Sequence, residues 1–260
     1  MTLAHFIVGE GPRRGVLLHG FLGQGRNLRT LAQRWTQADP SRSLLVADLP
    51  GHGTSPIGGP ESGLEDMARA VLETCREVGF ATGPLSFTGH SLGGRVSLAA
   101  LRGFPTEVAD VSLLDISAGP YESARGGTRR VAELLAAAPE RAAERSELRA
   151  TLVEAGLSQG VTDWLMMNVE RDGDGVRWRI DREWLLGFHR RVASDTFWDA
   201  VASRKVPVRC IRGGRSPFVD EAEQAHFTRL DVEVVTLADA GHDLHVDALP
   251  ELVDALVRPF

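Results

Sequence analysis

A serine that attacks a carbonyl carbon needs a backbone that lifts its hydroxyl clear, a base to take its proton, and donors for the negative charge it creates. The segment Phe87-Thr88-Gly89-His90-Ser91-Leu92-Gly93-Gly94 can supply the first. Ser91 lies between an apolar run that reads as a strand and a following run with helical spacing. A sharp strand-to-helix turn projects such a side chain above a sheet. Gly89 and Gly93 let neighbouring backbone pass close by because neither carries a Cβ. A helix beginning at Leu92 also directs its unpaired N–H groups and the positive end of its dipole at the serine.

Two amide donors are required for the oxyanion. Leu92 follows the serine and provides one, and the early loop His19-Gly20-Phe21 provides the other, assigned to Phe21. His242, in Ala240-Gly241-His242-Asp243, follows the last apolar run, where a loop histidine can act as the base. His245 stands at the start of the closing helix and reads as a packing or capping residue. His19 and His52 read as loop-holding residues, His90 flanks the serine, and His5, His189 and His226 are isolated. No pair of histidines shows metal-ligand spacing, so neither a metal nor a cofactor is expected.

The base needs a carboxylate to orient it. Asp115, in Leu113-Leu114-Asp115-Ile116, ends the apolar run after the elbow helix and preserves the chain order Ser91, Asp115, His242. Asp220 is the alternative, although its position before Glu221-Ala222-Glu223 reads as a helix cap. Asp48 reads as support for the Pro50-Gly51 turn.

These residues require a scaffold that ends several strands at one edge. Gly15–Leu18, Ser43–Ala47, Leu85–Thr88 and Val111–Leu114 read as buried strands, alternating with helical patterns such as Leu64, Met67, Val71, Cys75 and Val78. That alternation predicts a mostly parallel sheet with helices on both faces. From 117 to 203 the pattern is helical, over Thr128–Ala155, Val161–Asn168 and Arg182–Ala202. The last two strands, Val206–Ile211 and Val232–Leu237, and a closing helix Asp247–Val257 follow. Residues 1–116 and 204–260 are thus expected to form the core and 117–203 a helical lid. Asp172-Gly173-Asp174-Gly175 superficially opens a calcium loop, but the position that needs glycine holds Arg177, so a hairpin from Val169 to Trp178 is expected instead.

Composition excludes several classes. The 260 residues are 43% hydrophobic and 25% charged, ordinary for a globular protein whose core needs no disulfides. A net charge of −6 argues against general affinity for nucleic acid. Cys75 and Cys210, the two cysteines, read as buried free thiols. There is no basic leader and no apolar stretch long enough to span a membrane, so a cytoplasmic location is expected.

His19-Gly20-Phe21-Leu22-Gly23, Asp48-Leu49-Pro50-Gly51-His52-Gly53, Gly89-His90-Ser91-Leu92-Gly93-Gly94 and Gly241-His242 together resemble the α/β-hydrolase superfamily along nearly the whole chain. Most members carry the acid after the penultimate strand, in a segment like Gly-x-x-Asp. Here Gly213-Gly214-Arg215-Ser216-Pro217 has Ser216 at that position. The pattern is similar to small YbfF-type carboxylesterases, and that resemblance implies Asp115 as the acid; Met167-Asn168 and Trp178-Arg179 are similar to that branch too. It further implies an α/β-hydrolase fold and a serine hydrolase that cleaves small carboxylic esters through an acyl-enzyme, with a small-molecule ester as partner. Thioester hydrolysis, C–C bond cleavage or elimination on the same triad, and non-catalytic ligand binding are the alternatives. Candidate substrate contacts are Arg95, which could hold a substrate carboxylate, and Trp164 and Trp178, which could line an apolar acyl pocket.

Overall fold

The computed structural model describes residues 1–120 and 127–260. The chain opens with β1 (His5–Val8), β2 (Arg13–Leu18), α1 (Arg29–Ala38), β3 (Arg42–Ala47), α2 (Leu64–Glu77), β4 (Leu85–His90), α3 (Leu92–Gly103) and β5 (Val108–Leu114). An insertion follows, with α4 (Gly127–Ala137), β6 (Arg141–Ala142), α5 (Arg145–Glu154), α6 (Gln159–Met166), β7 (Val169–Asp172), β8 (Gly175–Trp178), α7 (Arg182–Val192) and α8 (Trp198–Ser203). The chain then completes the main sheet with β9 (Val208–Gly213), α9 (Glu221–Arg229), β10 (Glu233–Leu237), α10 (Leu244–Asp247) and α11 (Leu249–Val257).

The main sheet has the order β1-β3-β2-β4-β5-β9-β10. β1 is antiparallel to β3, and every other pairing is parallel. Alternate side chains of the central strands enter two separate cores, as the period of a strand requires. Val16, Leu18, Leu45, Phe87, Val111 and Leu113 face one core with α2, α3 and the insertion. Leu17, Leu44, Val46, Leu114 and Ile211 face the other, under α1 and α11. Both faces are covered, which is why these strands read as continuous apolar runs. This is the α/β-hydrolase fold, with the insertion between β5 and β9.

Three details differ from the sequence reading. β1, an edge strand of four residues with only partial burial, is absent from the sequence reading. The helical stretches over 128–155 and 182–202 each divide into two helices. Pro139 and β6 interrupt the first, since proline removes a donor and breaks the turn. In the second, α7 ends at Val192 and α8 starts at Trp198, and the Arg95 guanidinium donates to the Val192 and Asp195 carbonyls of the break at 3.2 and 2.9 Å. The insertion also holds a small sheet ordered β6-β8-β7, where the sequence shows only the β7–β8 hairpin. That hairpin turns at Gly173, whose φ of +59° is readily adopted by glycine.

Candidate active site

β2, β4, β5, β9 and β10 are consecutive neighbours in the sheet, and each ends in a loop that carries one candidate residue. These are Phe21, Ser91, Asp115, Ser216 and His242, in the same order. Parallel strands share one carboxyl edge, so distant stretches of sequence become neighbours there.

Ser91 caps the amino end of α3 with φ 51° and ψ −113°, a region that costs of order 1–3 kcal/mol for a non-glycine residue. Close packing enforces the strain. A Cβ on Gly89 would lie 2.1 Å from the Gly93 carbonyl, and one on Gly93 would lie 2.4 Å from the Leu18 carbonyl oxygen. β4 and α3 can meet this tightly only because those side chains are absent. The Ser91 amide donates to the Leu114 carbonyl at 3.0 Å, tying the elbow to the end of β5 one residue before Asp115.

The early loop is oriented by His19. Its Nε2 accepts the Leu49 amide at 2.9 Å, so Nδ1 carries the proton and donates to the Gly20 carbonyl at 2.8 Å. Burial pushes the pKa of His19 down to about 4, which keeps the ring neutral and able to accept. The Gly23 amide also donates to the Gly20 carbonyl, at 3.0 Å. With that carbonyl held on one side, the trans geometry of the peptide turns the Phe21 N–H the opposite way. Gly20 itself sits against the elbow, since a Cβ there would be 2.9 Å from His90 Nδ1 and 3.4 Å from the Ser91 Cβ.

Asp115 is fully buried, again with left-handed backbone, at φ 52°. Its Oδ1 accepts the Gly213 amide at 2.9 Å, and its Oδ2 accepts the Ser216 hydroxyl. His242 donates Nδ1–H to the same Oδ2 at 2.6 Å. The His242 ring stacks on Phe218 at 3.8 Å, and its backbone carbonyl accepts Nε2–H of His90 at 2.9 Å. The structure therefore brings Asp115 and His242 into contact and binds the residue before Ser91 to the His242 backbone. Asp220 instead caps α9, accepting the Glu223 amide at 2.9 Å. Asp48 holds loops, accepting the amides of Gly25 and Thr54.

A pocket opens at Ser91, lined further by Phe21, Leu92, Arg95, Phe188, His189 and Val192. Arg95 forms part of this wall, and its guanidinium donates to the Gly119 carbonyl at 2.8 Å as well as to the two insertion carbonyls already named. Trp164 and Trp178 do not line this pocket. Trp178 belongs to the small sheet, where its indole N–H donates to the Pro139 carbonyl at 2.9 Å, and Trp164 packs half-buried against the core. The pocket's outer wall comes from α7 instead, through Phe188, His189 and Val192, which the sequence reading leaves as ordinary helix. Burial, with Arg95 nearby, pushes the pKa of His189 down to about 4, so it presents a neutral ring at neutral pH.

The insertion docks beside the same loop. Asn168 Nδ2 donates to the Leu22 carbonyl at 2.9 Å and Arg179 reaches Gln24 Oε1 at 3.2 Å. These bonds make Asn168 and Arg179 a clasp between the β7–β8 region and the Phe21 loop.

Comparison with known proteins gives a concordant result. The model of the alpha/beta hydrolase family matches residues 16–255. The chain is 28% identical over 257 residues to lipase LipV of Mycobacterium tuberculosis, covering 96% of this chain and 93% of that one. It is 26% identical over 251 residues to the sn-1-specific diacylglycerol lipase ABHD11 of Mus musculus, covering 93% of this chain and 78% of that one. Among solved structures, an esterase from a marine microorganism superimposes with a TM-score of 0.83 at 20% identity over 98% of both chains.

Proposed function

This chain belongs to the alpha/beta hydrolase family, and from that premise we propose that it is a serine hydrolase cleaving small carboxylic esters through an acyl-enzyme. The observation that carries the reading is the 2.6 Å bond from His242 to buried Asp115, formed beside the strained elbow of Ser91. Asp115 fixes the tautomer in which Nδ1 holds a proton and Nε2 keeps its lone pair.

In the first step His242 Nε2 takes the Ser91 proton as the oxygen attacks the ester carbonyl. The tetrahedral oxyanion is received by the amides of Phe21 and Leu92, each such donor being worth roughly 3 kcal/mol in the transition state. His242 then protonates the departing alcohol, leaving an acyl-serine. In the second step His242 deprotonates a water, which attacks the acyl carbon, and Ser91 is regenerated as the carboxylic acid leaves.

The pocket supports the substrate class. Its apolar wall of Phe21, Leu92, Phe188 and Val192 suits an acyl group, and we take the acyl group to be short. Residues 117–203 serve as a lid on this reading, with α7 forming the pocket's outer wall and the YbfF-type esterases as the expected branch. The names of the relatives, two lipases and an esterase, support ester chemistry in general.

The test is hydrolysis of p-nitrophenyl acetate, butyrate and palmitate beside acetyl-CoA. Turnover is expected to be fastest on the short oxyesters. Preference for acetyl-CoA would replace this reading with thioester hydrolysis, and no turnover of any acyl substrate would refute it.

A further inference from the structure

Three metal-competent side chains gather beside His242 with no part in the acyl transfer itself. His90, Asp243 and His245 each offer a ligand atom, and these atoms all lie within 4.8 Å of one another. The sequence hides the grouping because His90 ends β4, whereas the other two follow β10. His90 is buried, its Nε2 is 3.9 Å from Asp243 Oδ1, and its ring centroid is 5.2 Å from that of His245. His245 Nδ1 is buried and has no hydrogen-bond partner among the described residues. A buried polar nitrogen left unpaired calls for an explanation.

Two imidazoles and one carboxylate, with water completing the tetrahedron, form a donor set typical of open Zn²⁺ sites. We propose that His90, Asp243 and His245 bind a transition-metal dication of the Zn²⁺ class, and that occupancy switches the hydrolase off. The inhibitory half rests on the hydrolase reading; the binding half does not.

The coupling follows from geometry. His90 Nε2 now carries a proton and donates it to the His242 carbonyl at 2.9 Å. A metal needs the lone pair of that nitrogen, so binding removes the proton and breaks the bond. Ligand atoms around tetrahedral Zn²⁺, each about 2.0–2.1 Å from the metal, lie roughly 3.4 Å apart. The three groups must therefore draw together from their present 4.8 Å spread. Asp243 and His245 share a short loop with His242, so contraction drags the imidazole against its 2.6 Å bond to Asp115. Misplacing a reacting group by about 1 Å can lower a rate by about 100-fold.

The experiment uses the full chain, stripped of metal with a chelator. Co²⁺ uptake is followed by its visible absorption, Zn²⁺ uptake by calorimetry, and hydrolysis by p-nitrophenyl acetate. One equivalent of metal is expected to bind, with hydrolysis falling by about 100-fold and returning on addition of chelator. His245→Gln and Asp243→Asn should hydrolyse normally without metal, bind at least about tenfold more weakly and resist inhibition. Absence of uptake by wild type, or uptake undiminished in both variants, overturns the site. Zn²⁺ inhibition equally strong in both variants places the inhibitory metal elsewhere and overturns the switch. Metal uptake that depends on both residues in a chain that cleaves no ester supports the site while refuting the hydrolase reading.

Discussion

Asp115 and His242 are 127 residues apart in the chain, yet the imidazole Nδ1–H donates to the carboxylate Oδ2 across 2.6 Å. The carboxylate has no solvent exposure and also accepts the Gly213 amide and the Ser216 hydroxyl. Three donors, two from the end of β9 and the loop it enters and one from the loop after β10, thus converge on one acid at the sheet's carboxyl edge.

Replacement of that acid separates the two carboxylates weighed from sequence. Asp115→Asn should lower kcat by about 10⁴-fold, because the amide can favour the wrong tautomer of His242. Asp220→Asn should stay within about twofold of wild type, since asparagine caps a helix as well as aspartate. Steady-state hydrolysis of a short p-nitrophenyl ester checks both, and the opposite ranking would transfer the acid's role to Asp220.

Ser216 occupies the position where most relatives of this fold carry their acid, and here its hydroxyl binds Asp115 instead. Ser216→Ala should reduce kcat by roughly tenfold, on the scale of one lost hydrogen bond to a charged group. A carboxylate at 216 would enter nearly the same space. The double variant Asp115→Asn, Ser216→Asp should therefore be faster than Asp115→Asn alone, and an equal or lower rate would show that position 216 cannot orient His242.

Much of this edge was legible in the sequence, and what escaped it has identifiable causes. Ser91 and its glycines carry a local signature, because the strained turn needs those residue types at that spacing. The buried strands were legible because coverage on both faces makes them continuously apolar. β1 was not, since it is a four-residue edge strand of which no residue is fully buried. Phe188 and His189 were missed because nothing in a helix pattern tells which turn will face a distant serine. Trp164 and Trp178 drew attention by residue type alone, but the β6-β8-β7 sheet and the core claim them. His90 and His245 came together only once β4 and β10 were placed along one edge.

Stability should fall in mild acid through two neutral histidines. Burial holds the pKa of His19 at about 4 and that of His52 at about 3, against an ordinary value of 6.5. Above pH 6.5 neither folded nor unfolded chain protonates these rings, and their neutral state carries no penalty. As pH falls from there toward the folded values, the unfolded chain takes up protons that the folded chain refuses. Stability is lost over that window, by roughly 2 kcal/mol for each ring at pH 5. Urea denaturation at pH 7.5, 6 and 5 measures it. An equal unfolding free energy at all three would contradict the burial of neutral imidazoles.

Arg95 donates from the elbow helix to carbonyls of Gly119, Val192 and Asp195 and is itself buried. Arg95→Met strands those carbonyls, so unfolding free energy should drop by roughly 3 kcal/mol. Hydrolysis of neutral short esters should be retained at temperatures where the variant is folded. Undiminished stability together with selective loss of turnover on acid-bearing esters would assign Arg95 to a substrate carboxylate instead.

The most direct test concerns the Ser91 hydroxyl. Wild-type chain is treated with a fluorophosphonate, the modified peptide is located by mass spectrometry, and Ser91→Ala is assayed on p-nitrophenyl butyrate. The account predicts one adduct on Ser91 and a fall of about 10⁶-fold in kcat for the folded variant. An adduct on another residue, or a Ser91→Ala chain that hydrolyses the ester at the wild-type rate, would contradict it.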